Sequence, residues 1–352
     1  MTDFTEVHPT LDNYWRAVIL FGRNVASYKF ALGRSLLDFS GQNRTEVSLT
    51  ELAVPFAHHL CEHLKGCDRQ TTSKSSKLLE ACRKFNRGEL TETCLVETTA
   101  RLGFVNVIDA FHIVDRSEIT VRFFSDERKG GGGIRLTDEL FKMADSYQKR
   151  NLPSEIEARW RLVETAWELS LPSSALVVDY DAETGKLVAQ SRLQRRKAVA
   201  PCRDALNGYQ KGKCFYCFAD VSVVPGAHDL GDVDHVLPHT LRFRAPDSPL
   251  AVRIDGIWNL ALACQMCNRG VAGKFDSLPA LCYIERLHAR NEFLILSHHP
   301  LRETLILQTG GDEPTRRAFL SESYRYARTE GGLVGDNWRS AIEHERAFGP
   351  DC

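Results

Sequence analysis

The sequence lacks the segments that would place the protein in a membrane. No apolar run approaches the roughly twenty residues that a membrane-spanning helix needs. The first residues, Met-Thr-Asp-Phe-Thr-Glu, are neither basic nor strongly apolar, so we expect no secretory signal. The 11 cysteines could indicate disulfides, but four of them stand in two Cys-x-x-Cys pairs and the others are scattered. This pattern favours a reducing cytoplasm.

An overall excess of positive charge is also missing. The formal net charge is −1 over 352 residues, which argues against a uniformly basic nucleic-acid-binding protein. Positive charge is concentrated instead in residues 192–213, where the only acidic side chain is Asp204. A surface that contacts phosphates and an ordinary solvated helix face would both produce this pattern.

The length of the chain indicates two or three domains, and the mixture of patterns indicates an α+β fold. Apolar residues at helical spacing predict a mostly helical N-terminal domain over residues 1–175, with a recognition or regulatory role. A second domain over residues 176–280 contains the motifs described below. A helical C-terminal extension over residues 281–352 is expected to pack on that second domain.

Several individual elements follow from local patterns. Helices are predicted at residues 49–65 and 77–86 from apolar spacing, and another is predicted at 336–348. A β-hairpin is predicted with its turn at residues 181–185, where Asp and Gly provide the turn chemistry. The basic stretch 192–213 predicts a helix that its proline interrupts.

The N-terminal domain contains no motif to which a mechanism can be assigned. It could recognise DNA, bind a partner or restrain the second domain. One segment, residues 70–77, reads Gln-Thr-Thr-Ser-Lys-Ser-Ser-Lys. A mobile loop and a segment that contacts phosphates are both compatible with this composition.

Two Cys-x-x-Cys pairs carry the clearest chemical signal. Cys214 and Cys217 form the first pair, and Cys264 and Cys267 form the second. Each pair can present two thiolates to one metal ion, and two pairs provide the four sulfur ligands that tetrahedral Zn²⁺ prefers. The pairs are farther apart than in a simple zinc ribbon. We therefore expect a structural zinc site with a functional segment between its two halves.

The segment between the pairs carries polar residues within apolar runs. Asp234 and His235 lie in a run that predicts a buried strand, which Pro238 ends. Asn259 is the polar residue of a second apolar run, and Asn268 directly follows the second cysteine pair. Strand burial would hold the Asp and His side chains in fixed positions, as a reactive site requires.

This ordered set of residues resembles the HNH endonuclease domain, which has the ββα-metal fold, in the version that a four-cysteine zinc knuckle stabilises. The resemblance extends over residues 213–274 and leaves the N-terminal half uncovered. The matching motifs are Cys-x-x-Cys, Asp-His-x-x-Pro, Asn-Leu, Cys-x-x-Cys-Asn and a following Lys, in the family's order. The resemblance implies metal-dependent hydrolysis of phosphodiester bonds in DNA, with a nick or a double-strand break as the product.

The resemblance also implies a role for each polar residue. Asp234 and Asn268 would hold one catalytic divalent cation through oxygen atoms, which suits Mg²⁺ or Mn²⁺. His235 would be the general base that takes a proton from the attacking water, and Asn259 would orient it. The family often has His in place of Asn268, so this departure favours an oxygen-liganded metal. His239 stays open, since a structural residue and an additional ligand both fit its position.

Contacts with nucleic acid are expected from basic residues around the zinc pairs. The candidates are Arg195, Arg196, Lys197, Lys213, Arg269 and Lys274. DNA is the expected partner, and the resemblance also suggests protein partners in a bacterial restriction, mobile-element or anti-phage system. Two alternatives stay open: a zinc-stabilised nucleic-acid-binding module without catalysis, and a nuclease that is silent until a partner activates it.

Overall fold

The structure is a computed structural model of the chain, and it divides into two compact units, Met1–Ser173 and Ser174–Cys352. The described residues are 11–21, 25–42, 44–73, 75–114, 117–130, 132–145, 151–168, 178–181, 183–190, 196–244, 249–296, 301–333 and 337–344. Both units combine helices with small antiparallel sheets of two or three strands, which confirms a mixed α and β composition. Within the described ranges, no helix is both long enough and apolar enough to cross a membrane.

The first unit consists of eight described helices and five short strands. Its helices are α1 (Leu11–Phe21), α2 (Tyr28–Ser40), α3 (Leu49–Gly66), α4 (Lys77–Asn86), α5 (Glu92–Leu102), α6 (Val107–Ala110), α7 (Asp138–Ala144) and α8 (Leu152–Glu168). Its strands are β1 (Glu46–Ser48), β2 (Ile113–Val114), β3 (Ser117–Glu118), β4 (Phe124–Asp126) and β5 (Gly133–Leu136). The order β1-β5-β4 forms one sheet, and β2 pairs with β3. Helices therefore provide most of this unit.

Local capping and burial explain the central helices of the first unit. Ser48 and Glu51 form a capping box at the start of α3, because each side chain bonds the other residue's backbone N–H. Phe30, Phe56 and Trp160 are fully buried in the core that α2, α3 and α8 share. Burial of each large apolar side chain stabilises the unit by about 1.5–3 kcal/mol.

A buried imidazole joins α3 to α8. The ring of His63 stacks on Trp160, with 3.5 Å between the ring centroids and 4° between the planes. Its Nδ1 lies 2.7 Å from Glu164 and its Nε2 lies 3.0 Å from Glu157. Burial lowers the pKa of His63, but the hydrogen bonds to the two carboxylates more than offset this and raise the pKa overall.

A buried ion pair joins α1 to α8. The guanidinium of Arg16 bonds Glu155 in a bidentate manner, at 2.7 Å through Nε and 2.8 Å through Nη2. The two side chains are only 2% and 4% exposed. Both charges are therefore shielded from water, and their bidentate pairing offsets part of the cost of burying them.

The second unit carries the cysteine pairs and the polar residues singled out by the sequence. Its helices are α9 (Cys202–Gln210), α10 (Leu241–Arg244), α11 (Pro249–Arg253), α12 (Gln265–Arg269), α13 (Leu281–Leu296), α14 (Arg302–Thr309) and α15 (Glu313–Thr329). Its strands are β6 (Val178–Asp181), β7 (Lys186–Gln190), β8 (Arg196–Pro201), β9 (Asp232–His235) and β10 (Leu260–Ala263). The order β6-β7-β8 forms one antiparallel sheet, and β9 pairs with β10.

Two predictions for the second unit are wrong. The basic stretch is not one interrupted helix, because residues 196–201 pair with β7 as strand β8 and only then does α9 begin. The backbone hydrogen bonds of the sheet outweigh the local helical pattern there. The helix expected at residues 336–348 is likewise not found in its described part, residues 337–344.

The long helix α13 supports the segments around the cysteine pairs through two buried arginines. Nη1 of Arg286 donates to the carbonyls of Phe215 and Tyr216, at 2.6 and 2.9 Å. Nη2 of Arg290 donates to the carbonyls of Ile257 and Trp258, both at 3.1 Å. The C-terminal part of the chain therefore holds both loops that flank the candidate site.

Candidate metal centre and active site

The four cysteines of the two pairs come together in one cluster. Their sulfur atoms all lie within 4.8 Å of one another, and Cys217 and Cys264 are 3.7 Å apart. A Zn–S bond of about 2.3 Å in a tetrahedral site places neighbouring sulfurs roughly 3.8 Å apart. All four cysteines are free thiols and not disulfides. The cluster could therefore hold one zinc ion.

The backbone around each pair is shaped to orient the sulfurs. Phe218 adopts a positive φ of 61°, which turns the chain so that the N–H of Ala219 donates to the Sγ of Cys217 at 3.4 Å. In the second pair, the N–H of Cys267 donates to the Sγ of Cys264 at 3.4 Å. Such N–H···S hydrogen bonds stabilise thiolate sulfur and fix the ligand geometry.

The environment of the cluster shifts the pKa values of its thiols in different directions. Burial raises the pKa of the Cys214 thiol, whereas a hydrogen bond with Cys214 lowers the pKa of Cys264. A zinc ion binds thiolates, so its binding would displace the remaining protons. The donor set, four closely spaced sulfurs with backbone N–H support, fits a structural zinc ion.

The C-terminal segment also approaches the cluster, which the sequence did not suggest. The Oγ of Ser340 lies 3.4 Å from the Sγ of Cys267. The backbone N–H of His344 donates to the carbonyl of Cys217 at 2.7 Å. These contacts join a segment far along the chain to both halves of the cluster.

Strand pairing places the residues of the predicted site beside the cluster. In the antiparallel pair β9–β10, His235 lies opposite Leu260 and Asp234 lies opposite Ala261. Strand β10 ends one residue before Cys264, so the second cysteine pair follows directly from the strand. All four residues of β10 are buried, which anchors the pair in the core.

His235 is held by a carboxylate that sequence reasoning missed. Its Nε2 lies 2.9 Å from Oδ1 of Asp255, and its side chain is 15% exposed. The hydrogen bond with His235 lowers the pKa of Asp255, so its carboxylate is ionised and can only accept. Nε2 therefore carries the proton of the neutral ring, which leaves Nδ1 as the atom able to take up a proton.

Asp255 also contacts the side chains of two further basic residues. Its Oδ1 lies 3.2 Å from Nε2 of His239, and its Oδ2 accepts from Nη1 of Arg242 at 2.8 Å. The rings of His235 and His239 have centroids 5.0 Å apart. His239 thus shares the carboxylate that holds His235, and nothing in the sequence pattern pointed to Asp255 as their common partner.

Asn259 positions the loops on both sides of this group through the backbone. Its Oδ1 accepts from the N–H of Leu237 at 2.8 Å. Its Nδ2 donates to the carbonyls of Leu237 and Ile254, both at 2.9 Å, and the residue is fully buried. These residues stand two positions after His235 and one before Asp255. Asn259 therefore fixes the spacing of that pair without touching the imidazole in any described contact.

Asp234 is buried and bonded through one oxygen. Tyr216 donates to its Oδ2 at 2.5 Å, and the ammonium of Lys274 lies 3.4 Å from the same atom. Burial raises the pKa of Asp234. Lys274 is itself fully buried and also donates to the carbonyl of His235 at 3.0 Å. In this arrangement Lys274 cannot contact a phosphate as predicted, because its ammonium faces the protein interior.

Asn268 contacts a different carboxylate from the one predicted to share its metal. Its Nδ2 donates to Oδ2 of Asp232 at 3.1 Å, and Nε of Arg269 donates to the same oxygen at 2.9 Å. Asp232 stands two residues before Asp234 on β9, so the alternation of a strand places both on one face. That alternation was the available signal for Asp232.

The structure describes only some of the other basic residues that were predicted to contact phosphate. Arg195 lies outside the described residues, and for Arg196 and Lys197 only the backbone of strand β8 is described. Lys213 pairs with Asp220 at 2.7 Å. Arg269 is 58% exposed, so its guanidinium is accessible to a ligand despite its bond to Asp232.

A cavity of about 770 Å³ adjoins His239 and Asp255. Its lining includes His239, Arg242 and Asp255, together with acidic residues of the hairpin that β6 begins. The ring of Tyr180 on β6 lies 6.3 Å from that of His235. The cavity is large enough for a small molecule or for part of a polymer chain, and its lining carries both charges.

Comparison of the chain with known proteins gives no relative from which function could be transferred. No protein-family model matches it. No curated protein and no solved structure matches it either. The functional argument therefore rests on the residues and contacts of this chain.

Proposed function

We propose that the protein is a metal-dependent endonuclease that hydrolyses phosphodiester bonds in DNA, with a structural zinc ion at the four cysteines. The observation that carries this proposal is the imidazole of His235, which Asp255 holds at 2.9 Å with Nδ1 available, beside the carboxylate of Asp234 on β9. Two antiparallel strands followed by the short helix α12 support the resemblance to HNH endonucleases.

His235 provides the general base of the proposed reaction. Its Nδ1 accepts a proton from the attacking water while Asp255 stabilises the imidazolium that forms. General-base help of this kind is worth about 10²–10⁴-fold in rate. Asn259 maintains the distance between the two residues through the backbone of Leu237 and Ile254. The guanidinium of Arg242 forms an ion pair with the same carboxylate of Asp255.

The residue types around β9 include oxygen donors of the kind that a hard divalent cation prefers. Both described partners of Asp234 use its Oδ2, so a cation would bind through Oδ1, with Asn268 and Asp232 as further oxygen donors. Mg²⁺ and Mn²⁺ prefer such ligands. When bound, the ion would stabilise charge on the phosphate and on the leaving oxygen.

The test is cleavage of supercoiled plasmid by the wild-type protein and by His235→Ala, with Mg²⁺, Mn²⁺ or EDTA. We expect metal-dependent nicking or linearisation that falls by about 10²-fold or more in the variant. His228→Ala is the matched control, because His228 is 86% exposed and lies outside the group around Asp255. Zinc-loaded, folded wild-type protein that leaves the plasmid intact with every metal would contradict unassisted cleavage.

Asp255→Asn tests the proposed proton path separately. The variant keeps the shape of the side chain but removes the charge that favours imidazolium. We expect a rate loss of up to about 10²-fold and an acidic limb of the pH–rate profile that moves to lower pH. A purely structural role would lower activity without moving that limb.

A zinc-stabilised nucleic-acid-binding module is the second candidate. It is favoured by Lys274, whose buried ammonium already neutralises Asp234 where a catalytic cation is expected. Such a module would retard DNA in a gel in the presence of EDTA and would never cut it. Binding that is equal for wild type and His235→Ala, with no cleavage by either, would establish this candidate.

A further inference from the structure

The first unit contains a cavity that the proposed nuclease site does not use. It measures about 390 Å³ and lies between the start of α2, the polar segment 70–77 and the start of α6. Among the described residues that line it none is acidic, whereas Lys29 and Lys77 are basic. Known small-molecule sites have volumes of about 300–1,000 Å³. The cavity therefore has the size and the charge of an anion-binding site.

Lys29 is the most unusual group in this cavity. The residue is only 6% exposed, and its Nζ donates to the carbonyl of Ile113 at 3.2 Å. Within the described part of the chain, no carboxylate pairs with it. Burial lowers its pKa to about 8, and no acidic group offsets that shift. A buried ammonium without a counter-charge is costly, so an anionic group in the cavity would provide the missing partner.

Hydroxyl-bearing residues also line the cavity, and backbone contacts fix the segment that carries several of them. Tyr28 and Ser76 have their side-chain oxygens 2.7 Å apart. The N–H of Ser27 donates to the carbonyl of Gln70 at 3.0 Å, and Thr71 pairs with Ala26 in a β-bridge. The segment 70–77 is thus anchored to the start of α2 at its first residues and at Ser76. Hydroxyl and ammonium donors in the lining suit the oxygens of a phosphate.

Other parts of the lining are apolar. Leu78, Leu102 and Val107 line the cavity, and Leu78 and Val107 are buried. A ligand that carries only charge would leave this surface uncovered. The combination suits a molecule with an anionic group on a largely apolar or aromatic body.

We propose that this cavity binds a small phosphate-bearing ligand of nucleotide size, with its phosphate at Lys29 and its apolar part against Leu102 and Val107. The site is separate from the proposed nuclease centre, and its test does not depend on cleavage. In this proposal, the described residues of the segment 70–77 contribute to phosphate binding.

The test is calorimetric titration of the full-length, zinc-loaded protein with AMP, with inorganic phosphate and with adenosine. AMP should bind at least tenfold more tightly than adenosine, because only AMP supplies the counter-charge of Lys29. Lys29→Met should weaken AMP binding at least tenfold. The same variant should keep or raise the melting temperature of the ligand-free protein, since it removes an unpaired buried charge at similar volume. Lys84→Met, an exposed lysine on α4 outside the cavity, should change neither quantity.

Ala110→Trp provides a second variant that does not disturb the core. Ala110 lines the cavity but is exposed, so an indole there should obstruct the cavity while the fold is kept. Loss of AMP binding in both variants, with Lys84→Met unchanged, supports the proposal. AMP that fails to bind, that binds no better than adenosine, or that binds Lys29→Met and Ala110→Trp as tightly as wild type would overturn it.

Discussion

Asn259→Asp should make the second unit sensitive to pH in a way that the wild-type protein is not. The native amide is fully buried, accepts one backbone hydrogen bond and donates two, all at 2.8–2.9 Å. A carboxyl group has nearly the same shape. When it is protonated it keeps the acceptor and one donor, but when it is ionised it places a negative charge against two carbonyl oxygens.

The magnitude of this effect follows from the linkage between protonation and folding. Burial and the two carbonyls should raise the pKa of the introduced carboxyl in the folded state above its unfolded value of about 3.9. A raised folded pKa means that the variant is most stable below that unfolded value and loses stability as pH rises. The loss is about 1.4 kcal/mol per pH unit until the folded pKa is reached. Between about pH 5.5 and pH 7.5 the loss reaches its upper limit of roughly 2.7 kcal/mol when the folded pKa lies above that interval, and it is smaller when the folded pKa lies within it.

The assay is urea unfolding of zinc-loaded wild type and variant over that pH range. The quantity to compare is the difference in unfolding free energy at each pH, because protonation of the cysteines affects both proteins alike. Asn259→Leu is the matched control. It leaves all three backbone partners of the native amide without a hydrogen bond, at about 1–3 kcal/mol each. Because leucine cannot ionise, the loss of stability in this control should not depend on pH. A deficit of Asn259→Asp that is also independent of pH would refute the reasoning.

Three further perturbations test other parts of the structure. Cys264→Ser should lose zinc and melt at a lower temperature than wild type. His235→Ala should lose activity while its zinc content and melting temperature stay unchanged. Equal melting temperatures for the two variants would contradict this division of roles. Arg16→Met should cost about 3–5 kcal/mol in urea unfolding, because it removes both guanidinium hydrogen bonds from a carboxylate that is only 4% exposed, and a second change, Glu155→Met, should recover most of that loss. The raised pKa of His63 means that its protonated ring stabilises the first unit fully below about pH 6.5, and that this contribution is lost as pH rises through the raised pKa. The melting temperature of wild type should therefore fall over that interval more than that of His63→Gln.

Local signals were sufficient where a structure depends on neighbouring residues. The predicted helices at 49–65 and 77–86 correspond to α3 and α4, each of which begins at a serine cap. The hairpin turn at 181–185 follows from Asp181 and from Gly185, which adopts a φ of 66°. The cysteine cluster belongs in the same class, because ligand spacing within each pair is itself local.

Long-range contacts escaped prediction because no periodicity aligns their partners. Strand β8 exists because β7 offers it backbone partners, and its residues alone resembled a helix. Asp255 lies twenty residues after His235, beyond α10 and α11. Neither its distance along the sequence nor its neighbouring residues indicated that it would bind the imidazole. Lys274 was judged by its charge, whereas its burial beside Asp234 depends on how the segment after α12 folds back.

The arrangement of the second unit couples the cysteine cluster to the candidate base through one strand. Cys264 directly follows β10, and β10 holds His235 in register through its pairing with β9. Asn259 directly precedes β10 and fixes the loops that carry Leu237 and Asp255. The four-cysteine cluster at one end of β10 and the buried amide of Asn259 at the other therefore constrain the same short strand. Because β10 is bonded at both ends, we expect a change at either end to alter the position of His235 relative to Asp255.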